Sequence, residues 1–364
     1  MAKKIFVAAT GQNSGKTTTS LSLLHLARKK YDRIGFIKPI GPKLATLNGR
    51  LVDKDAALMA QVYGLEKYLE HMSPVVLLPG TTKKVLSGEI SATMFEEKIL
   101  TAVEALEREC DFLIVEGAGH SGVGTVLGMS NAHIARLVEA PVLMVTGGGI
   151  GNVVDSVGMN AALFRQEGAQ LRAIVANKII PEKREETLHF LNLAFRDSSI
   201  SVLGGFNYQP ILANPTLRRI SSVLGLPIQG NIEEDMRIAH HVQIGAASTQ
   251  RVVELLQEST LLLVTSSRDE LLVTIANLYA MPEYRTKIVG LIIPGIAPLS
   301  KITQKILDRS NIPYMRTERS TTEIFLDISE DVSKLTAEDD EKIALVQALA
   351  EKRFDFAAID ELFN

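Results

Sequence analysis

The stretch Thr10-Gly11-Gln12-Asn13-Ser14-Gly15-Lys16-Thr17-Thr18 determines how the first half of the chain is interpreted. An apolar run at residues 5–9 precedes it, and a helical pattern at residues 17–30 follows it. Glycine-rich turns between a strand and a helix bind phosphate, because backbone N–H groups turn inward and the helix N-terminus adds partial positive charge. The first glycine stands one position later than the standard pattern requires, but the Gly-Lys-Thr end is intact. We therefore expect a phosphate-binding loop here.

The residue types of this loop suggest a division of roles. Lys16 is placed to meet the β- and γ-phosphates of a nucleotide, and the hydroxyl of Thr17 is a candidate Mg²⁺ ligand. The alternative is a glycine loop that only turns the chain before a helix. The predicted nucleotide-binding residues of the loop are Gly11, Gln12, Asn13, Ser14, Gly15, Lys16, Thr17 and Thr18.

Short β-branched runs alternate with helical patterns through the first 205 residues. Most runs are almost continuously apolar, which is typical of strands buried on both faces of a parallel sheet. The alternation predicts an α/β fold with a doubly wound, mostly parallel sheet. The predicted strands are residues 5–9, 34–37, 112–115, 142–145 and 173–176, and the predicted helices are residues 17–30, 55–63, 95–108, 131–139 and 184–195.

Acidic residues occur where a metal–nucleotide site needs oxygen ligands. Glu116 ends an apolar run, so it should emerge at the carboxyl edge of the sheet, where ligands bind in open α/β folds. Asp53 and Asp55 precede a helical pattern. One of them has the simpler role of an N-cap, and Asp55 is the candidate second carboxylate for Mg²⁺. The alternative for Glu116 is an acid that caps a loop.

Three further features of the sequence concern the same edge of the predicted sheet. Lys38 ends a strand before a rigid Pro-containing turn and is able to reach the phosphate site, although a lone lysine is more often solvated. His120 follows Glu116 closely and is a minor candidate for a substrate contact. The glycines at residues 147–151 do not fit the dinucleotide-binding spacing. We interpret them as a turn at the same edge of the sheet.

Composition excludes several classes of protein. The chain has 364 residues with a net charge of -3, so it offers no general electrostatic footprint for nucleic acid. Its single cysteine, Cys110, excludes an intramolecular disulfide framework. No apolar stretch approaches the roughly 20 residues that span a bilayer, and the N-terminus lacks a signal-peptide pattern. We expect a cytoplasmic protein with no membrane partner.

The second half of the chain predicts another, smaller α/β domain. Residues 204–215 are rich in Gly, Asn and Pro and are interpreted as a linker. Residues 261–264 and 288–293 have the pattern of buried strands. Residues 338–353 form a charged helical pattern with an apolar face. The expected domains are residues 1–205, residues 206–325 and a C-terminal helical tail at residues 326–364.

These motifs together resemble the dethiobiotin synthetase-like branch of P-loop proteins over residues 1–205. The resemblance is carried by the 10–18 loop, Lys38-Pro39-Ile40-Gly41, Asp53–Asp55, Glu116-Gly117-Ala118-Gly119 and Val175-Ala176-Asn177-Lys178. It implies that Lys16 and Thr17 bind MgATP and that Asp55 and Glu116 bind the metal. It further implies that Lys38 assists phosphoryl transfer to a carbamate, that Asn177 recognises adenine, and that the protein is a homodimer.

A closer likeness is to the N-terminal region of long bacterial phosphate acetyltransferases, on Phe36-Ile37-Lys38-Pro39-Ile40 and Ser130-Asn131-Ala132. Residues 206–325 resemble the DRTGG domain that follows in those enzymes, although its Asp-Arg pair reads Ser267-Arg268 here. No acetyltransferase catalytic domain is expected. The resemblance leaves three functions open: an ATP-binding regulatory or sensor protein, an ATP-dependent ligase acting on a small carboxylate or carbamate, and an accessory subunit of a separate enzyme.

Overall fold

The computed structural model describes residues 2–331 and 335–364. The chain forms two compact units, of which the first is discontinuous in sequence. Unit 1 comprises Met1–Gln209 and Leu335–Asn364, and unit 2 comprises Pro210–Lys334. Unit 2 is therefore an insertion into the chain of unit 1.

Unit 1 alternates strands and helices from its first residues onward. Its strands are β1 (Lys3–Ala9), β2 (Ile34–Ile37), β3 (Ile40–Gly41), β4 (Leu44–Leu47), β5 (Arg50–Asp53), β6 (Val75–Val76), β7 (Phe112–Glu116), β8 (Val142–Thr146), β9 (Leu171–Ala176) and β10 (Ser201–Gly204). Its helices before the insertion are α1 (Lys16–Ala27), α2 (Lys54–Tyr63), α3 (Leu69–Met72), α4 (Thr81–Leu86), α5 (Ala92–Glu109), α6 (Asn131–Leu137), α7 (Ile150–Glu167) and α8 (Arg184–Phe195).

A six-stranded parallel sheet in the order β10-β9-β8-β1-β7-β2 forms the centre of unit 1. The residues of β2, β7 and β8 are buried throughout, as expected for strands covered by helices on both faces. β7 pairs with β1 so that Glu116 lies opposite Val7. The carboxyl ends of the strands therefore meet at one edge, and the predicted doubly wound α/β fold is confirmed.

A small hairpin stands outside this sheet. β4 and β5 pair antiparallel, and Asn48 and Gly49 connect them with φ of 51° and 73°. An Asn-Gly pair accepts positive φ at both positions, which suits the two-residue turn of a hairpin. The hairpin ends at Asp53, immediately before α2.

Unit 2 has its own parallel sheet, in the order β11-β12-β13-β14. Apolar residues pack on both faces of this sheet, one set with α12 and α14 and the other with α10 and α15. Its strands are β11 (His241–Ile244), β12 (Thr260–Leu263), β13 (Ile288–Ile293) and β14 (Tyr314–Arg316). Its helices are α9 (Pro210–Ala213), α10 (Leu217–Leu224), α11 (Thr249–Glu254), α12 (Asp269–Tyr279), α13 (Pro282–Lys287), α14 (Lys301–Ser310) and α15 (Thr321–Asp331).

The last two helices, α16 (Asp340–Arg353) and α17 (Phe356–Leu362), return to unit 1 and pack against α1. Buried Asp360 accepts hydrogen bonds from Lys3 Nζ at 2.7 Å and from Tyr31 Oη at 2.7 Å. The expected C-terminal tail at residues 326–364 is thus divided, since residues 335–364 are part of unit 1. The physical reason is the apolar face of α16, which needs a partner and is covered by α1.

Across residues 2–331 and 335–364, every helix is too short or too polar to cross a membrane.

Candidate functional site

The predicted phosphate-binding loop connects β1 to α1 at the carboxyl edge of the first sheet. Gly15 caps α1 in a left-handed conformation, with φ of 99°. A Cβ atom at this position would lie 2.2 Å from Asn177 Nδ2, so only glycine fits. The first turn of α1 contains no acidic residue. Its N-terminus therefore keeps the partial positive charge that favours an anion.

Asn177, which directly follows β9, fixes this loop. Its side chain is buried; Nδ2 donates to the carbonyl of Ser14 at 3.0 Å, and Oδ1 accepts from the amide of Phe206 at 3.0 Å. The amide group is thus held at both ends by the protein backbone. The contact with adenine that resemblance assigns to Asn177 stays a prediction, and it would use the second N–H or the second lone pair of this amide.

Lys16 extends across the loop. Its Nζ donates to the carbonyl of Gly119 at 3.0 Å and lies 3.5 Å from the carbonyl of Gly11. Gly119 belongs to the loop that follows β7. The ammonium of Lys16 therefore lies between the two loops that end β1 and β7, which are neighbours in the sheet.

Thr17, Asp55 and Glu116 converge, although they come from three separate parts of the chain. Thr17 Oγ1 lies 3.2 Å from Asp55 Oδ1 and 3.3 Å from Glu116 Oε1. Asp53 has the capping role instead, because its side chain accepts from the amide of Asp55 at 2.9 Å. Asp55, two residues later, is left to face the site.

Lys38 follows β2 and is buried between the two carboxylates. Its Nζ donates to Asp55 Oδ2 at 2.7 Å, to Glu116 Oε1 at 2.8 Å and to the carbonyl of Gly117 at 3.3 Å. Burial alone would lower the pKa of Lys38, but the nearby carboxylates, chiefly those of Asp55 and Glu116, raise the pKa above its usual value. Lys38 is therefore a stable cation of this site.

Burial and crowding also affect the capping carboxylate. Desolvation, followed by the charge of Asp55, raises the pKa of Asp53 to about 6, against the opposing effect of Lys38. The carboxylates of Asp53, Asp55 and Glu116 thus all act on the buried ammonium of Lys38.

The sequence did not predict the part played by Asn131, which holds the loop after β7. Its Oδ1 accepts from the amide of Ala118 at 3.1 Å, and its Nδ2 donates to the carbonyls of Ala118 and His120 at 2.6 and 2.5 Å. A Cβ at Gly117 would lie 2.7 Å from Asn131 Oδ1. The sequence signals were the likeness of Ser130-Asn131-Ala132 to phosphate acetyltransferases, which assigned no role to Asn131, and its place directly after Ser130, a helix N-cap. That position marks a helix start and says nothing of a loop 13 residues away.

The oxygen atoms of this site fit a magnesium ion. Carboxylate and hydroxyl oxygens are ligands that Mg²⁺ accepts, usually together with water and substrate phosphates. Glu116 Oε2 is buried and has no hydrogen-bond partner among the described residues. No group of three or more His, Cys, Asp or Glu side chains in that part of the chain is arranged to hold a metal. Two carboxylates and a hydroxyl would therefore need phosphate or water oxygens to complete the coordination.

The weaker candidates lie elsewhere around this edge. His120 is exposed, and its Nδ1 accepts from the amide of Gly122 at 3.2 Å. The glycines at residues 147–149 follow β8 and lead into α7. The turn predicted at residues 147–151 is therefore shorter than expected, since Ile150 and Gly151 already belong to α7.

The corresponding edge of unit 2 has a different character. Arg268 donates to the carbonyls of Gly245 at 3.0 Å and Ala247 at 3.1 Å and pairs with Glu270 at 2.5 Å. The guanidinium thereby closes the loop after β11 against the loop after β12. Arg268 is therefore engaged with protein groups at this edge.

The fold and this site together define a P-loop nucleotide-binding protein, with a glycine loop, a lysine and a helix N-terminus at the carboxyl edge of a parallel sheet. The family described as AAA domain (AAA_26) matches residues 3–216, more than half of the chain. The chain therefore belongs to the AAA_26 family.

Two relatives extend this result. The ATP-dependent dethiobiotin synthetase of Aromatoleum aromaticum is 26% identical over 176 residues, covering 48% of this chain and 78% of the relative. The phosphate acetyltransferase of Nitratidesulfovibrio vulgaris is 21% identical over 365 residues, covering 98% of this chain and 51% of the relative. This chain thus spans about half the length of that acetyltransferase. It is a P-loop protein related to both kinds of enzyme.

Among solved structures, the septum site-determining protein MinD of Pyrococcus horikoshii, complexed with Mg-ADP, has a TM-score of 0.35 and 13% identity. The match covers 58% of this chain and 84% of that one.

Proposed function

We propose that unit 1 binds MgATP and that the protein acts as an ATP-binding regulatory or sensor protein, in which unit 2 conveys or modulates the response. The observation that carries this proposal is the convergence of Lys16, Thr17, Asp55 and Glu116 at the end of one glycine loop. Mg²⁺ would be held by Thr17, Asp55 and Glu116, in part through water. When bound, it would neutralise phosphate charge.

The residues of the site have distinct roles in this proposal. The amides of residues 11–18 bind phosphate oxygens, and Lys16 exchanges the carbonyl of Gly119 for the β- and γ-phosphates. Asn131 keeps Gly119 and Glu116 in place by fixing the loop between them and α6. Asn177 holds the loop backbone at Ser14 and contacts the adenine.

The regulatory part of the proposal is supported by the difference between the two units. Unit 2 resembles the DRTGG domain in sequence, and Arg268 at its sheet edge is engaged in closing loops. We propose that unit 2 binds an effector or joins two copies of the chain in a homodimer. Light scattering of the full chain with and without MgATP tests the second possibility.

A second candidate function is ATP-dependent phosphorylation of a small carboxylate or carbamate. Buried Lys38 favours it, because a lysine between the metal-binding carboxylates lies next to where a phosphoryl group would be transferred. In this candidate, Lys38 and Lys16 stabilise the charge that develops on the transferring group.

One experiment decides between the two functions. Calorimetry with MgATP first measures binding to the full chain. ADP release is then followed with a panel of small carboxylates, and with amines plus bicarbonate. Binding without acceptor-dependent ADP release supports the regulatory function, whereas release stimulated by one acceptor class supports the ligase. Absence of nucleotide binding would reject both.

A further inference from the structure

The two carboxylates of the site are already bridged by groups of the protein. Asp55 accepts from Lys38 through Oδ2 and from Thr17 through Oδ1, at 2.7 and 3.2 Å. Glu116 Oε1 accepts from both groups, at 2.8 and 3.3 Å. The Lys38 ammonium thus lies among the same oxygen atoms that a metal ion would use.

The ammonium of Lys38 has no spare donor in this state. Its three N–H groups are directed at Asp55, Glu116 and the carbonyl of Gly117. Lys38 can therefore contact a phosphate or an acceptor only after it releases at least one of these oxygens. Glu116 Oε2 is also buried without a hydrogen-bond partner among the described residues.

We propose that Lys38 serves as the resident cation of this site and competes with the metal ion for Asp55 and Glu116. In the absence of nucleotide, the ammonium holds the two carboxylates together and disfavours entry of a metal alone. When metal and nucleotide bind together, the two carboxylates coordinate the metal, and the ammonium of Lys38 that they release contacts the phosphates. This inference rests on the proposed Mg-nucleotide site and specifies how that site is regulated.

The test uses metal alone, without nucleotide, on the full chain. Wild-type protein should show little change in Tm with MgCl2 and weak Mn²⁺ binding by electron paramagnetic resonance. Lys38→Met should have a lower Tm that MgCl2 partly restores, and should bind Mn²⁺ at least about tenfold more tightly, because no ammonium opposes the ion.

Lys3→Met is the matched control. Lys3 is a largely buried lysine that pairs with buried Asp360 at 2.7 Å in the same unit. Its loss should lower Tm without any gain in Mn²⁺ affinity. Equal Mn²⁺ affinity in wild type and Lys38→Met would overturn the inference, as would an equal gain in Lys3→Met.

Folding of the variant is not essential to the test. If Lys38→Met does not fold, Lys38→Gln replaces it, and wild-type protein alone gives an independent readout. Its Mn²⁺ affinity should rise at least about tenfold when ADP is present, and an affinity unchanged by ADP would contradict competition. Failure of the proposed function has a different signature, namely wild-type protein that binds no MgATP.

Discussion

The two parallel sheets of this protein end in different chemistry at the same topological position. At the carboxyl edge of unit 1, Lys38 is buried between two carboxylates that outnumber it. At the carboxyl edge of unit 2, Arg268 and Arg316 donate mainly to backbone carbonyls, including those of Gly245 and Ile293 at 3.0 and 2.9 Å. Both edges are where open α/β sheets bind ligands.

The difference shows that topology alone does not define a site. A guanidinium that donates to loop carbonyls satisfies acceptors that the fold leaves unpaired, and Arg268 is paired with the carboxylate of Glu270 as well. The buried carboxylates of Asp55 and Glu116 share the ammonium of Lys38, so a further positive charge would stabilise them. That need for positive charge distinguishes the edge of unit 1 from the edge of unit 2.

The largest expected effect comes from truncating the chain after residue 205, which removes unit 2 together with the C-terminal helices of unit 1. A chain that ends at residue 205 loses α16 and α17, with buried Ile343, Val346, Phe354 and Ile359. At about 1.5–3 kcal/mol for each large apolar side chain, the loss approaches the whole stability of a domain, roughly 5–15 kcal/mol. We expect this chain to aggregate.

An internal deletion provides the control for that truncation. Removing residues 210–334 and joining Gln209 to Leu335 through a flexible Gly/Ser linker keeps both C-terminal helices. This variant should melt cooperatively by circular dichroism and keep its affinity for MgATP. If the truncated chain folds as well as the internal deletion, the C-terminal helices are not an essential part of unit 1.

The second prediction compares one cation from each edge by urea unfolding. Lys38→Met should destabilise unit 1 by about 3–5 kcal/mol, because two carboxylates are left buried without their counter-charge. Arg268→Met removes hydrogen bonds to carbonyls that water can reach, so a loss of about 1 kcal/mol is expected. Equal losses would mean that the buried carboxylates of unit 1 depend no more on their cation than the loop carbonyls of unit 2 do.

The third prediction concerns ligand affinity. Lys16→Ala should weaken MgATP binding by about 1.5–3 kcal/mol, or roughly 10- to 150-fold, because it removes a charge-assisted contact with the phosphates. Arg268→Ala serves as the control and should bind MgATP as wild type does. Calorimetry that finds Lys16→Ala and wild type equal would remove the phosphate-binding assignment from unit 1.

The smallest effect is expected from an ion-pair cluster in unit 2. Burial alone would raise the pKa of Glu234, but hydrogen bonds from Tyr279, Arg285 and Arg237 lower it to about 2. This lowered pKa stabilises unit 2 fully above the unfolded value, near 4.3, and the contribution is lost as the pH falls towards 2. Because the cluster is partly exposed, we expect only about 1 kcal/mol.

Urea midpoints at two pH values test this prediction. Glu234→Gln should lower the midpoint of unit 2 at pH 7, and its difference from wild type should shrink near pH 3. A difference that grows on acidification would have the wrong sign for a carboxylate with a lowered pKa.

The sequence predicted five of the six strands in the central sheet of unit 1 but not the edge strand β10. Continuous apolar runs identified the buried strands, and the Gly-Lys-Thr motif correctly indicated a loop between β1 and α1. Helix α7 was missed, because the buried residues Val153, Val157 and Phe164 alternate with glycine and polar residues that conceal the helical period. The short strand β14 was missed because three residues carry almost no periodic signal.

The detailed arrangement of the site was less predictable. The sequence left open which of Asp53 and Asp55 caps α2, since both precede the helix and either side chain suits the N-cap. Only the packing of α2 against β2 and β5 shows that Asp55 faces Lys38. Asn131 was not assigned to the loop after β7, because that contact depends on how α6 returns to the sheet.

The insertion of unit 2 into the chain of unit 1 has a consequence for biosynthesis. The phosphate-binding loop leaves the ribosome early, but α16, which covers the helix after this loop, is made only after about 125 further residues of unit 2. At roughly 5–20 residues per second, translation of the insertion takes about 6–25 s. During that interval α1 exposes the apolar surface that α16 later buries. The nascent chain is therefore most vulnerable to chaperone capture or aggregation while unit 2 is being translated.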